Sequence, residues 1–162
     1  MLNGKISHEY QKQSINGGNT MDKLEKLSFS EMSPKFREHR NFLKLSSKLV
    51  DYGYMCSWLP VDDQGADFIA VHCKTNKVLK IQLKGRIWVS KKYFGKGIYM
   101  AFPVNDKKSA ENWMIVPHDE LVNLFISPKQ WEKLGTRSSG KVPSKILKDV
   151  QKLSIIDPVN LN

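Results

Sequence analysis

The amino-acid sequence predicts an α/β domain with a central mixed β-sheet flanked by helices, and three observations carry that expectation. Glu38, Phe42, Leu45, Leu49 and Tyr52 recur in steps of four and three, which places them on one face of a helix. Short β-prone runs follow near 54–59, 66–73, 78–90, 97–102 and 112–116. Helical patterning then returns from Pro117 onward.

Each element has a local cause. The first helix, over 33–52, opens with Ser33 as N-cap and Pro34 at the first helical position, where the missing N–H has no intrahelical partner to lose. Gly53-Tyr54 follows it. Pro117-His118-Asp119-Glu120 opens a second helix carrying Leu121, Val122, Leu124 and Phe125, with Asp119 as a dipole-compensating first-turn residue. Ser127-Pro128-Lys129-Gln130 has capping-box spacing ahead of Trp131 and Leu134. Residues 135–142 read as a Gly/Ser/basic linker, and 144–153 as an amphipathic helix with Ile146, Leu147, Val150 and Leu153 inward. Residues 1–32, rich in Asn, Gln, Ser, Lys and Gly, predict a mobile arm with a short helix near 21–27. The expected organisation is an arm over 1–32, a core over 33–134, and a basic linker and helix over 135–162 that packs on the core.

At 162 residues and 40% hydrophobic content the chain is sized for one domain with a substantial core. A net charge of +10, with an isoelectric point near 9.6, is the signature of a polyanion binder, and nucleic acid is the partner it favours. No stretch approaches a membrane span, and Met1-Leu2-Asn3-Gly4-Lys5 is no secretory signal, so a cytoplasmic protein with no membrane partner is expected. Cys56 and Cys73 each fall in an expected strand without a CxxC or Cys/His pattern. They read as buried free thiols, which argues against a disulfide and against zinc.

The residues most constraining for chemistry are Asp67, Gln82 and Lys84. Lys74-Thr75-Asn76-Lys77 joins two strands as a tight hairpin connection. A symmetric four-residue loop then pairs Cys73 with Val78, Val71 with Lys80, Ile69 with Gln82 and Asp67 with Lys84. Alternation puts the three polar tips on one face, while Ile81 and Leu83 point to the core. A slip of one residue would send Asp67 to the other side. Asp67 and the Gln82 amide oxygen are hard ligands suited to Mg²⁺, and Lys84 is placed to stabilise charge on phosphorus. The plainer reading is a turn aspartate, a half-buried strand amide and a solvated lysine.

The run Gly65-Ala66-Asp67-Phe68-Ile69-Ala70-Val71 followed by Ile81-Gln82-Leu83-Lys84 resembles the signature of the PD-(D/E)xK nuclease superfamily, in the variant with glutamine at the second acidic position. Group I intron homing endonucleases and related bacterial nucleases use that variant, and the resemblance spans roughly residues 33 to 126. It implies a restriction-endonuclease-like core and Mg²⁺-dependent DNA cleavage, with Mn²⁺ as a substitute. Asp67, Gln82 and the Leu83 carbonyl would hold the metal, and Lys84 would be the catalytic lysine. The chain departs from the pattern in two ways: Ala66 stands where a proline often precedes the aspartate, and Gln82 removes one negative charge. The family also often carries a helix glutamate about three turns before a Gly-Tyr pair. Phe42 occupies that spacing and Glu38 lies one turn earlier, where it is read either as a catalytic residue or as a first-turn glutamate favoured by the helix dipole.

Beyond Lys84 the expected strand face carries Arg86 and Trp88, and Lys91-Lys92-Tyr93-Phe94-Gly95-Lys96 reads as a basic, aromatic hairpin turn. Lys91, Lys92 and Lys96 could contact phosphates and Tyr93 could stack on a base, against the alternative of a solvated turn. Cutting both strands of a duplex would need a homodimer or higher oligomer. A non-catalytic nucleic-acid-binding protein with a degenerate site is the rival expectation. His39 and His72 have no diagnostic partners, and Asp62 and Asp63 read as surface turn residues.

Overall fold

A computed structural model describes residues 23–104 and 108–157. Helix α1 (Pro34–Asp51) is followed by strands β1 (Tyr54–Asp63), β2 (Ala66–His72), β3 (Val78–Leu83) and β4 (Trp88–Ser90). A 3-10 turn (Lys91–Tyr93), β5 (Ile98–Pro103), β6 (Trp113–Pro117), α2 (His118–Phe125), α3 (Pro128–Leu134), β7 (Thr136–Ser138) and α4 (Ser144–Leu153) complete it. Five strands form a mixed sheet in the order β1-β2-β3-β5-β6, and β4 pairs with β7 in a separate ribbon. The expected α/β class with a mixed sheet and flanking helices is the class observed.

Caps form where local chemistry placed them. The Ser33 hydroxyl accepts from Phe36 N–H at 3.2 Å, and Ser127 accepts from Gln130 N–H at 3.4 Å. Helix α1 buries Phe42, Leu45 and Leu49 against Phe68, Ala70, Ile81 and Leu83 on one face of the sheet. Phe42 meets both Trp58 and Phe68 edge-on, with ring centroids 5.0 and 5.1 Å apart. Helices α2 and α4 cover the other face over β5 and β6, where Met100, Phe102, Met114 and Val116 are buried with Leu121, Phe125 and Val150. Burying one such leucine or phenylalanine contributes roughly 2–3 kcal/mol before entropy is counted.

Several expectations are corrected. The β2–β3 hairpin pairs Phe68 with Ile81, Ile69 with Lys80, Ala70 with Leu79 and Val71 with Val78. The loop lies one residue earlier than expected because His72 closes it: its N–H donates to Lys77 O at 2.9 Å, and its Nδ1 accepts from Lys74 and Thr75 N–H, both at 3.2 Å. Asn76 takes the left-handed conformation that completes the turn (φ 56°). Moving both ends by one residue shifts the register by two, so every side chain keeps its face. Cys73 is thereby exposed in the turn rather than buried in a strand, while the half-buried Cys56 thiol is pushed up in pKa by burial.

The run 78–90 is two strands, not one. Regular pairing ends at Leu83, residues 85–86 bend, and β4 leaves the main sheet. As a result β3 and β5 run parallel, and residues 91–96 are not a hairpin turn but part of a crossover. Part of the expected linker is β7, which pairs with β4. Residues 23–28 are irregular rather than helical, and the remainder of the expected arm, 1–22, lies outside the described residues. Residues 29–31 form a turn fastened to α1 by Arg37, whose Nε donates to Phe29 O at 3.0 Å and Nη2 to Ser30 O at 3.1 Å.

Gly65 shows why the crossover sits where it does. Its φ is +97°, and a Cβ built on it would come within 2.7 Å of the Tyr93 ring. Gly65→Ala is expected to destabilise the fold by about 2–3 kcal/mol, through backbone strain and displacement of a buried ring. Urea denaturation checks this; an unchanged midpoint would mean the ring moves away freely.

Candidate functional site

Register and sheet face together bring Asp67 opposite Gln82. The Gln82 side chain is 3% exposed, and its Nε2 donates to Asp67 Oδ2. The same oxygen accepts Leu83 N–H at 2.8 Å, and Gln82 Nε2 lies 3.5 Å from the Leu83 carbonyl oxygen. An amide donor thus sits at the point shared by a carboxylate oxygen and a main-chain oxygen. This is where burial would be expensive without a partner, and the three groups satisfy one another.

A primary amide can turn half a revolution about its last bond within the same envelope, exchanging nitrogen for oxygen. The turned state puts three oxygens around one point. They repel unless a cation lies between them, so the set fits a hard ion that takes few protein ligands and keeps several waters. Among the described residues no group of three or more His, Cys, Asp or Glu side chains could hold a metal ion, and this set contains one carboxylate.

Lys84 continues the parallel ladder by one hydrogen bond, donating its N–H to Ala101 O at 2.8 Å. Its ammonium lies 5.6 Å from the Trp88 ring centroid and 5.9 Å from that of Tyr93. Tyr93 also packs on Gly65, two residues before Asp67, which puts Lys84 on the Asp67 side of the strand end. Arg86 lies 5.6 Å from the Trp88 centroid and Lys92 5.6 Å from that of Tyr93. The two rings therefore bring Lys84, Arg86 and Lys92 into one neighbourhood.

Glu38 is exposed on α1 and lines a cleft with Asn41, Leu83, Lys84 and Gly85. Phe42, at the family spacing, is a core residue. Arg86 and Trp88 do not share a strand face with Lys84, since the strand has ended, and the Trp88 indole donates to Thr136 Oγ1 at 3.0 Å. Lys91 is held by α3: its Nζ donates to Glu132 O at 3.0 Å and its stem crosses Gly135. Tyr93 is 6% exposed and so is corrected from stacking residue to core residue, while its neighbour Phe94 is 50% exposed. Lys92 is exposed and Lys96 half-buried.

Sequence patterning misses two residues. Asn41, 7% exposed on α1, lines the cleft with Glu38 and Lys84. Its signal is a polar side chain three residues after Glu38 and four before Leu45, inside the apolar stripe. His118, with no expected partner beyond its neighbour, orders the crossover. Its Nε2 accepts Ser90 N–H at 3.1 Å, and its Nδ1 lies 2.9 Å from Asp119 Oδ1, which defines the neutral Nδ1-protonated tautomer. Asp119 also accepts Gly95 N–H at 3.0 Å, so it does more than compensate the helix dipole. Tyr93 meets the imidazole edge-on at 5.7 Å.

Burial lowers the His118 pKa, and the Asp119 carboxylate opposes that shift. Because the folded value lies below the unfolded value of about 6.5, stability is full above about pH 6.5 and falls as pH drops toward the folded value. Denaturant midpoints are expected to decline between about pH 7 and pH 5, and less so in His118→Gln, whose amide oxygen can still accept from Ser90. Equal declines in both proteins would assign the acid sensitivity elsewhere.

Fold and site together define an α/β protein in which a half-buried carboxylate meets a buried amide near a cation-bearing strand end. The chain is similar in structure to a bacterial homing endonuclease, I-Ssp6803I, with 11% identity and a TM-score of 0.44 over 70% of this chain and 79% of that one. No family model matches the chain, and no curated protein matches it.

Proposed function

We propose that this protein is a Mg²⁺-dependent DNA endonuclease whose centre is Asp67, Gln82, the Leu83 carbonyl and Lys84. The observation that carries the reading is the convergence of the first three on one point, with a lysine next on the same side. Asp67, Gln82 and Leu83 would hold the ion, with Mn²⁺ as a substitute. A bound divalent ion supplies charge for the scissile phosphate and acidifies a water. Asp67 holds its oxygen in position through Leu83 N–H, so the carboxylate is preset by the backbone. Lys84, whose ammonium lies near the Trp88 and Tyr93 rings, would offer its charge to the negative charge that grows on the phosphate oxygens. DNA is the partner favoured by the +10 charge, and Arg86, Lys92 and Lys96 supply phosphate contacts around the site. Cutting both strands requires a second copy of the site, supplied by a homo-oligomer.

Supercoiled plasmid incubated with and without Mg²⁺ or Mn²⁺ tests the reading. Nicked circles should appear only with the divalent ion, and their absence at saturating protein would refute it. The rival, a binding protein with a degenerate site, is favoured by one observation: Asp67 Oδ2 already accepts two N–H donors, and Gln82 adds no charge. It predicts salt-sensitive DNA binding with no turnover.

Among the described residues no helix is long and apolar enough to cross a membrane.

A further inference from the structure

The end of β3 has a second side. Facing α1, away from the carboxylate–amide pair, lies a cleft of about 310 Å³ lined by Arg37, Glu38, Asn41, Leu83, Lys84 and Gly85, among others. That volume is at the small end of the range for ligand sites. Asn41 forms its inner wall and is 7% exposed. Its Oδ1 accepts a long bond from Arg40 at 3.4 Å, and its amide nitrogen has no hydrogen-bond partner among the described residues. Ser46 Oγ is the one buried side-chain polar atom without a partner among the described residues, so the Asn41 nitrogen is open to the cleft and its two N–H donors are there for whatever fills it.

The surroundings state what that acceptor is. Lys84 and Arg37 bring two positive charges to the cleft, and Glu38 brings one negative charge at its rim. Arg37 is braced by Phe29 and Ser30 carbonyls and by the Phe29 ring 4.6 Å away, so it is held in place with other guanidinium donors to spare. A Cβ at Gly85 would meet nothing within 4 Å, so the backbone is open to close approach there. Unused amide donors, two cations and an accessible backbone are complementary to a phosphate oxygen. We propose that this cleft is a phosphate subsite for a nucleic-acid strand, with Asn41 as its positioning residue. Lys84 borders both sides of the strand end, so the strand lies across β3 with one phosphate at the Asp67 side and a neighbouring phosphate at Asn41. The assignment of the first phosphate as the scissile one rests on the nuclease reading; the subsite itself does not.

The test is a titration of the full-length ¹⁵N-labelled chain with 5′-phosphorylated thymidine dinucleotide, without divalent ions, observed at the Asn41 side-chain NH₂ signal. That signal is assigned by its loss in Asn41→Leu. It should shift saturably, Asn41→Asp should weaken binding about tenfold or more, and Glu38→Gln should strengthen it by removing the one repelling charge. An unmoved NH₂ signal, or Asn41→Asp and Asn41→Leu binding within about twofold of the parent, would overturn the subsite. The NH₂ readout is made on the parent chain, so it decides the matter even where a variant folds poorly. A saturable shift without plasmid nicking keeps the subsite and removes the nuclease; nicking with an unmoved signal does the reverse.

Discussion

Lys84→Met is expected to lower metal-dependent nicking of plasmid DNA by about a hundredfold or more while salt-sensitive DNA binding falls only slightly. The size follows from what one preset donor to a developing oxyanion contributes, about 2.7–4 kcal/mol, against the near-uniform and smaller worth of one phosphate contact among many. Methionine is chosen because it keeps most of the lysine's apolar length, whereas an alanine would confound loss of charge with loss of packing. Both rates and binding constants should be measured at one salt concentration. Parent-level nicking by a clean Lys84→Met preparation would remove the lysine from the reaction and with it the proposed centre.

Gln82→Glu is expected to cost about 3–5 kcal/mol of stability in the absence of divalent ions above the carboxylate range, and to recover most of it with Mg²⁺. At 3% exposure the new carboxylate has no access to water, and it faces Asp67 Oδ2, which loses an N–H donor and gains a like charge. Two carboxylates so placed retain a proton between them, so the loss should shrink as pH falls. An ion between them reverses the sign of the interaction. Denaturation with and without Mg²⁺ measures both effects. Stability equal to the parent under both conditions would show that residues 67 and 82 do not meet as described, and the ion site would fall with them.

Both substitutions fall on residues whose shared face is legible in the amino-acid sequence. The helix over 33–52 is readable because its cap, its proline and its apolar spacing are all local, and α1 spans Pro34–Asp51. The shared face of Asp67 and Gln82 is readable for a related reason: strand alternation has a period of two, so a register error of two residues leaves the face intact. The error itself arises from the side chain of His72, whose capture of two turn N–H groups is invisible to a count of loop residues. Continuity fails at Leu83. Gly85 alone does not announce that the chain leaves the sheet and that β3 and β5 run parallel, because strand direction depends on a crossover seated elsewhere, on Gly65 and His118.

The candidate residues divide along the same line. Sequence by itself determined the α/β class, the caps, the basic character and the shared face of Asp67 and Gln82, since each depends on near neighbours or on summed charge. Tertiary structure decided that Tyr93 is buried under Gly65, that Lys91 braces α3, and that Glu38 and Asn41 share a cleft with Leu83 and Lys84. Those outcomes depend on which surfaces meet across long stretches of chain, and burial is a property of the meeting rather than of either residue.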